Sequence, residues 1–255
     1  MPRLAIIGGT GFEDPAILGL PVEPLAVETR WGCVQFAVGR VQGEEVAFLS
    51  RHGPGHTLAP HRIPYLAHIA ALKEVGVERI AATAAVGSLR AELATGTLLA
   101  LDQFIDWTRQ RPTTWFVEEL AHVDFTEPYC PEVRRALLSE AARMGLELRP
   151  SGCYVGVEGP RFETPAEVRA LALLGGDVVG MTGLPEAVLA REAGLCYATV
   201  AVVTNPGAGL GPGPISHEEV SRVMEALRPR VVQLMLRALV ALPRERSRCP
   251  CSRHR

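Results

Sequence analysis

The chain has 255 residues, 47% of them hydrophobic and 21% charged, and a formal net charge of −2. That is enough for one α/β domain with a large core, and near-neutrality with scattered arginines leaves no basic stripe for the phosphates of a nucleic acid. No apolar run reaches the roughly 20 residues of a membrane span and no leader is visible, so the expectation is a cytoplasmic protein acting on a small molecule.

Leu4-Ala-Ile-Ile7 is a short continuous apolar run, the pattern of a strand buried on both faces, and Gly8-Gly-Thr-Gly11 follows it. Such a turn can offer backbone N–H groups and the Thr10 hydroxyl to an anion, or be a plain tight turn; it has neither dinucleotide nor P-loop spacing. Glu45 to Ser50 is the next strand and ends in Arg51-His52-Gly53. A guanidinium at a strand's carboxyl end suits an anion. His52, His56 and His61 could suggest zinc, but a Gly/Pro-rich loop does not fix ligands on one face as a helix does.

Tyr65 to Glu74 reads as an amphipathic helix and Arg79 to Val86 as a buried strand ending in Gly87-Ser88. Thr97 to Ile105 is strand-like. Asp106 to Thr126 is a polar, aromatic-bearing loop, a length that is usually functional or subunit-bridging. Pro131 to Met144 is a packing helix. Asp177 to Thr182 is a strand, Pro185 to Glu192 a helix, and Leu195 to Val203 a strand ending in Thr204-Asn205-Pro206-Gly207. A glycine/proline loop then leads to His217-Glu-Glu-Val and a helix through Leu242.

Cys33, Cys130, Cys153 and Cys196 sit singly in apolar or turn contexts and read as small buried hydrophobes. Residues 1–243 form the domain, and 244–255 an arginine-rich, disordered tail. Metal binding by Cys249, Cys251 and His254 there would need more ligands. Lys73 is the only lysine, which reads as compositional or thermal bias.

The most informative stretch is Val155 to Pro165. Gly159-Pro160 breaks regular structure, while Thr164-Pro165-Ala-Glu reads as an N-cap and first turn, which leaves Phe162 and Glu163 on a strand-to-helix loop. A phenyl ring beside a carboxylate suits a planar heterocycle with N–H donors. The same pair would also serve as a core phenylalanine and a helix N-terminal acid. Strands alternating with helices predict a single α/β domain, a mostly parallel, mixed, twisted sheet flanked by helices. Thr10, Arg51-His52, Phe162-Glu163, Met181-Thr182 and Asn205 would then meet in one crevice at the strands' carboxyl ends.

Ile-Ile-Gly-Gly-Thr-Gly, Arg-His-Gly, Glu-Gly-Pro-Arg-Phe, Gly-Met-Thr and Thr-Asn, in this order, make residues 4 to 242 resemble the trimeric purine nucleoside phosphorylase and methylthioadenosine phosphorylase family. The resemblance implies homotrimers, sometimes paired into hexamers, no metal or cofactor, and reversible phosphorolysis of purine nucleosides in salvage. It implies a phosphate site of Thr10, Arg51, His52, Ala84, Ala85 and Thr182. Ala84 departs from the threonine or serine often found there, which leaves only backbone donors. It places Met181 under the ribose, Phe162 against the base with Pro206 and Gly207 nearby, and His122 in a neighbouring subunit's site.

In that scheme the phosphate dianion stabilises the cationic sugar and attacks its anomeric carbon, while Asn205 meets N7 and O6 of the departing base and Glu163 accepts from N1–H. Asn205 and Glu163 imply a 6-oxopurine, since the methylthioadenosine branch typically has aspartate and a small hydroxyl residue there. His217 implies a 5′-hydroxyl, so inosine and guanosine are the expected substrates. Methylthioinosine and methylthioadenosine are the alternatives, because much of the remaining sequence resembles the methylthio branch, and His217 could merely cap its helix. A hydrolytic nucleosidase would need a carboxylate to activate water. A non-catalytic nucleoside-binding protein would have no use for Arg51, Thr182 and Asn205 together.

Overall fold

The computed structural model describes residues 1–246 and 249–251. Ten strands join in one sheet of order β2-β3-β4-β1-β5-β9-β8-β7, with β10 paired to β5 and β6 paired to β10. The strands are β1 (Leu4–Gly8), β2 (Val22–Thr29), β3 (Gly32–Val41), β4 (Glu44–Ser50), β5 (Arg79–Ser88), β6 (Leu98–Ala100), β7 (Gln103–Asp106), β8 (Cys153–Gly156), β9 (Val178–Gly180) and β10 (Cys196–Pro206). Five pairings are parallel and four antiparallel, so the sheet is mixed as expected.

The central strands are buried along almost their whole length because helices cover both faces. Alternation sorts their side chains between two cores. Ala5, Ile7, Tyr197, Ala201 and Val203 face α1 (Tyr65–Glu74) and α4 (Glu186–Glu192), while Leu4, Ile6, Ala198, Val200 and Val202 face α2 (Pro131–Arg143) and α5 (His217–Val240). A smaller core joins Val155 and Val179 to Val168 and Leu171 of α3 (Pro165–Leu173).

Three features differ from the sequence expectation. The run from Thr97 to Ile105 is two strands, β6 antiparallel to β10 and β7 parallel to β8, because Asp102 turns aside to accept a bond from the Gly152 N–H at 2.8 Å. Residues 22 to 41 form a β2–β3 hairpin whose half-exposed faces carry no continuous apolar run to mark them. The described part of the tail is packed: Arg79 Nη2 donates to Glu245 O at 3.1 Å, Arg246 Nη1 to Gly194 O at 2.7 Å, and Cys249 and Cys251 are buried. His254 lies outside the described residues.

Candidate active site

A cavity of ≈ 470 Å³ opens at the carboxyl ends of the central strands. Its lining includes Thr10, Arg51, His52, Ala85, Phe162, Glu163, Met181, Thr182, Asn205 and His217. Residues as far apart in the chain as Thr10 and His217 meet there because each follows a strand of the same sheet or opens the helix behind it.

The anion end is built on Arg51. Its side chain is 1% exposed, and Nε and Nη2 each donate to a carboxylate oxygen of Glu186 at 2.7 Å, while Nη1 donates to Thr83 O at 2.9 Å. Burial alone would weaken the guanidinium's hold on its proton, but the Glu186 carboxylate reverses that and raises its pKa. Tyr197 Oη donates to the same carboxylate at 2.7 Å. The guanidinium expected to meet an anion is therefore shared: Glu186 takes one edge and Thr83 O one Nη1 proton, which leaves one N–H each on Nη1 and Nη2 of a side chain that lines the cavity. Glycine at position 9 is required here, since a Cβ would lie 2.6 Å from Arg51 Nη1.

His52 completes this end. Its Nδ1 donates to Leu58 O at 2.7 Å, and burial pushes its pKa down to about 4, so the ring is neutral near pH 7 with Nε2 as an acceptor. His56 stacks on it at 4.1 Å and donates from Nδ1 to Glu13 at 2.8 Å. Burial opposes the charge of Glu13, yet the bonds from His56 and the Gly11 N–H outweigh it and hold the carboxyl below its usual range. His56 lines the cavity; His61, the third member of the possible zinc set, does not.

The Met181-Thr182 turn is held from below. Tyr154 Oη, fully buried, accepts from the Thr182 and Gly183 N–H groups at 3.1 and 3.0 Å. Arg111, from the long loop, donates to the carbonyls of Met181 at 2.6 Å, Leu184 at 2.5 Å and Glu158 at 2.6 Å. One side chain thus fixes both loops that frame the middle of the cavity. Gly159, at φ 66°, is needed because a Cβ there would lie 2.6 Å from Met181 Sδ.

At the other end Phe162 is 37% exposed and Glu163 half-buried, just before the capping box of Thr164 and Glu167 that starts α3. Burial raises the Glu163 pKa. Asn205 Oδ1 accepts from Thr204 Oγ1 at 2.9 Å, and Nδ2 donates to Pro206 O at 2.9 Å, leaving a lone pair and one N–H for a ligand. Ser216, not His217, caps α5 by accepting from the Glu219 N–H at 3.2 Å. His217 stands exposed on the rim with its ring 5.6 Å from His56.

Four expected residues lie elsewhere. Ala84 is buried inside the β5–β10 ladder opposite Ala201 and does not reach the cavity; Ala85 does. Pro206 lines an adjoining cleft that shares Asn205. Gly207 lines neither; its N–H donates to Ser88 O at 2.8 Å, and a Cβ would lie 2.6 Å from that oxygen. His122 is exposed on the long loop, away from its own chain's cavity. Glu186, Arg111, Tyr154 and the His56–Glu13 pair were not assigned to the site from sequence. Only the position of Glu186 at a helix start after Pro185 hinted at it, and that pattern equally describes a surface acid.

The sequence matches the Phosphorylase superfamily over residues 3–241. It is 52% identical to the 6-oxopurine nucleoside phosphorylase of Pyrococcus furiosus, covering 98% of this chain and 97% of that one. It is 47% identical to a probable S-methyl-5′-thioinosine phosphorylase of Methanopyrus kandleri, covering 99% and 97%. Among solved structures, methylthioadenosine phosphorylase from Schistosoma mansoni in complex with adenine superposes with a TM-score of 0.89 at 30% identity, over 94% of this chain and 91% of that one. With the matching fold and near-complete coverage, the chain belongs to the phosphorylase superfamily.

Proposed function

We propose that this chain catalyses the reversible, phosphate-dependent cleavage of 6-oxopurine nucleosides, inosine and guanosine, to the free purine and ribose 1-phosphate. The observation that carries the reading is that one cavity has a cationic, hydroxyl-bearing end at Arg51, Thr10 and Thr182 and an aromatic, carboxylate- and amide-bearing end at Phe162, Glu163 and Asn205. Met181 lies between them on a turn fixed by Tyr154 and Arg111.

Phosphate is held by the free N–H groups of Arg51, by the hydroxyls of Thr10 and Thr182 and by backbone at Ala85. The neutral His52 accepts through Nε2 from the P–OH of a hydrogen phosphate, which orients the dianion. Attack on the anomeric carbon breaks its bond to the purine, whose growing negative charge at O6 is met by the free Nδ2–H of Asn205; N7 takes a proton from solvent, and the Oδ1 lone pair accepts from that N7–H. Glu163 accepts from N1–H, a donor that adenine lacks. A lost or mismatched bond in a desolvated site costs about 1–3 kcal/mol, roughly ten- to a hundredfold in kcat/KM.

Two features of the long loop fit a neighbouring subunit. His122 sits near Val117 and Leu120, which are 86% and 90% exposed, and such an apolar loop beside a histidine fits a homotrimer in which each loop closes the next cavity.

A second reading, methylthioinosine as substrate, is favoured by the rim itself. His217 is exposed and not a desolvated donor, and Leu58, Pro60 and Val220 in the same lining offer apolar surface to a thioether methyl. The deciding experiment compares kcat/KM for inosine, guanosine, adenosine, methylthioinosine and methylthioadenosine at saturating phosphate. Inosine and guanosine are expected to lead. A lead of about tenfold or more for methylthioinosine moves the assignment to the second reading, and equal rates for adenosine and inosine remove the 6-oxopurine assignment.

A further inference from the structure

Four cysteines that are scattered in the sequence converge away from the cavity. Cys130 immediately precedes α2, Cys196 opens β10, and the Cys130 N–H donates to Tyr197 O at 2.7 Å, which brings these two together. The chain returns from α5 across Arg79 and Gly194 and places Cys249 and Cys251 on the same spot. All four are buried, and their Sγ atoms lie within 4.8 Å of one another, with Cys196 and Cys249 at 3.4 Å. None is in a disulfide, and none lines the cavity.

Four thiols gain little from one another, because S–H is a weak donor and sulfur a weak acceptor. A tetrahedral zinc with Zn–S bonds of about 2.3 Å would set its four sulfurs about 3.8 Å apart, within the range the cluster already spans. A second group points the same way. Arg191, 1% exposed, donates from Nη1 to Cys251 Sγ at 3.1 Å while its Nε and Nη2 are held by Asp124 O. A buried guanidinium against sulfur is suited to a thiolate, as in the outer shell of a thiolate-bound metal, and is poorly matched to a neutral sulfur.

We infer that Cys130, Cys196, Cys249 and Cys251 form a structural site for a thiophilic divalent cation, with Zn²⁺ the best fit. On binding, each S–H gives its proton to solvent and its sulfur lone pair to the metal, with no change of oxidation state. The site ties the end of the long loop, the start of β10 and the tail into one unit, which gives the Cys-Pro-Cys segment after α5 a reason to be packed. The sequence expectation that the tail lacked ligands failed because Cys130 and Cys196 join from 119 and 53 residues upstream of Cys249.

The test uses the full chain, reduced with a phosphine and stripped by a chelator, then titrated with Co²⁺. The expected result is a sulfur-to-cobalt charge-transfer band and intense visible bands of a tetrahedral thiolate site, saturating at about one equivalent per chain and lost on adding Zn²⁺. The double variant Cys249→Ser/Cys251→Ser, checked by circular dichroism and elution volume, should keep its fold and show no such bands. Thermal melts should rise with Zn²⁺ in the parent and not in the variant. A reduced parent without the cobalt spectrum, an unchanged spectrum in the double variant, or cysteines trapped from freshly lysed cells as two disulfides would each overturn the site.

Discussion

At the anion end of the cavity Arg51, His52 and Glu186 are 1%, 3% and 0% exposed and held by partners within the chain, whereas at the purine end Phe162 is 37% exposed and His217 stands on the rim. The difference separates two tasks. Charge that meets phosphate has to be oriented before the ligand arrives, because turning it during the reaction would cost the stabilisation it supplies. Phe162 and His217 can stay open to admit the nucleoside and are completed by substrate and, in our reading, by the next subunit's loop, while Asn205 is 8% exposed and already held by Thr204 and Pro206 O.

The largest effect expected from breaking this contrast is at Glu186. Replacing it with glutamine leaves Arg51 as a buried, half-partnered charge, which costs about 3–5 kcal/mol of folding stability when one member of such a pair is removed. It also frees the guanidinium to swing, so phosphate KM should rise about tenfold or more. Denaturant melts and phosphate titrations check both, and Arg51→Ala should show the same stability loss. A variant with unchanged stability and unchanged phosphate KM would mean the pair is not what holds the anion end.

Next in size is acid sensitivity beneath that end. Burial pushes His68 down to about 3 and His52 to about 4, each from 6.5, and His68 Nδ1 has no hydrogen-bond partner among the described residues. Below pH 6.5 the unfolded chain takes up protons that the folded rings refuse, so stability falls as pH drops from 6.5 towards 4 and, for His68, on to 3. His68→Leu removes one such site and should recover roughly 3 kcal/mol of that loss at pH 4. Parallel stability curves for the two proteins between pH 6.5 and 4 would contradict it.

The purine end should respond mainly in specificity, although Asn205→Asp also gives up the Nδ2 bond to Pro206 O and with it some stability. Asn205→Asp turns a donor into an acceptor and should move the adenosine to inosine ratio of kcat/KM by about ten- to a hundredfold towards adenosine. A smaller change is expected for Phe162→Ala, where loss of an exposed stacking face should raise nucleoside KM by roughly threefold to tenfold, about 1 kcal/mol, with melting temperature unchanged. Equal effects on phosphate and nucleoside KM would show that the two ends are not separable.

How much of this was legible in the sequence follows from the range of each interaction. The buried strands β1, β4, β5 and β10 announce themselves as apolar runs, and the polar residues at the carboxyl ends of three of them, Thr10 after β1, Arg51 after β4 and Asn205 in β10, can be placed in a shared crevice from strand alternation alone. The capping box at Thr164 is also local and reads directly. What stays hidden depends on contacts made only after folding: Glu186 finds Arg51 from 135 positions away, and Arg111 crosses from an irregular loop to Met181 and Glu158. The cysteines likewise look solitary until α5 returns the tail to β10. Of the adjacent pair Ala84 and Ala85, only Ala85 lines the cavity, because motif matching locates a strand end but not which face of the pleat each neighbour takes.

The central claim, that phosphate and a 6-oxopurine nucleoside occupy one cavity and react there, is tested most directly by following hypoxanthine release from inosine with and without inorganic phosphate. Release should be saturable in phosphate, give ribose 1-phosphate in equal amount, and fall to background when phosphate is withheld. Hypoxanthine formed at the same rate without phosphate, with free ribose as the second product, would contradict the account.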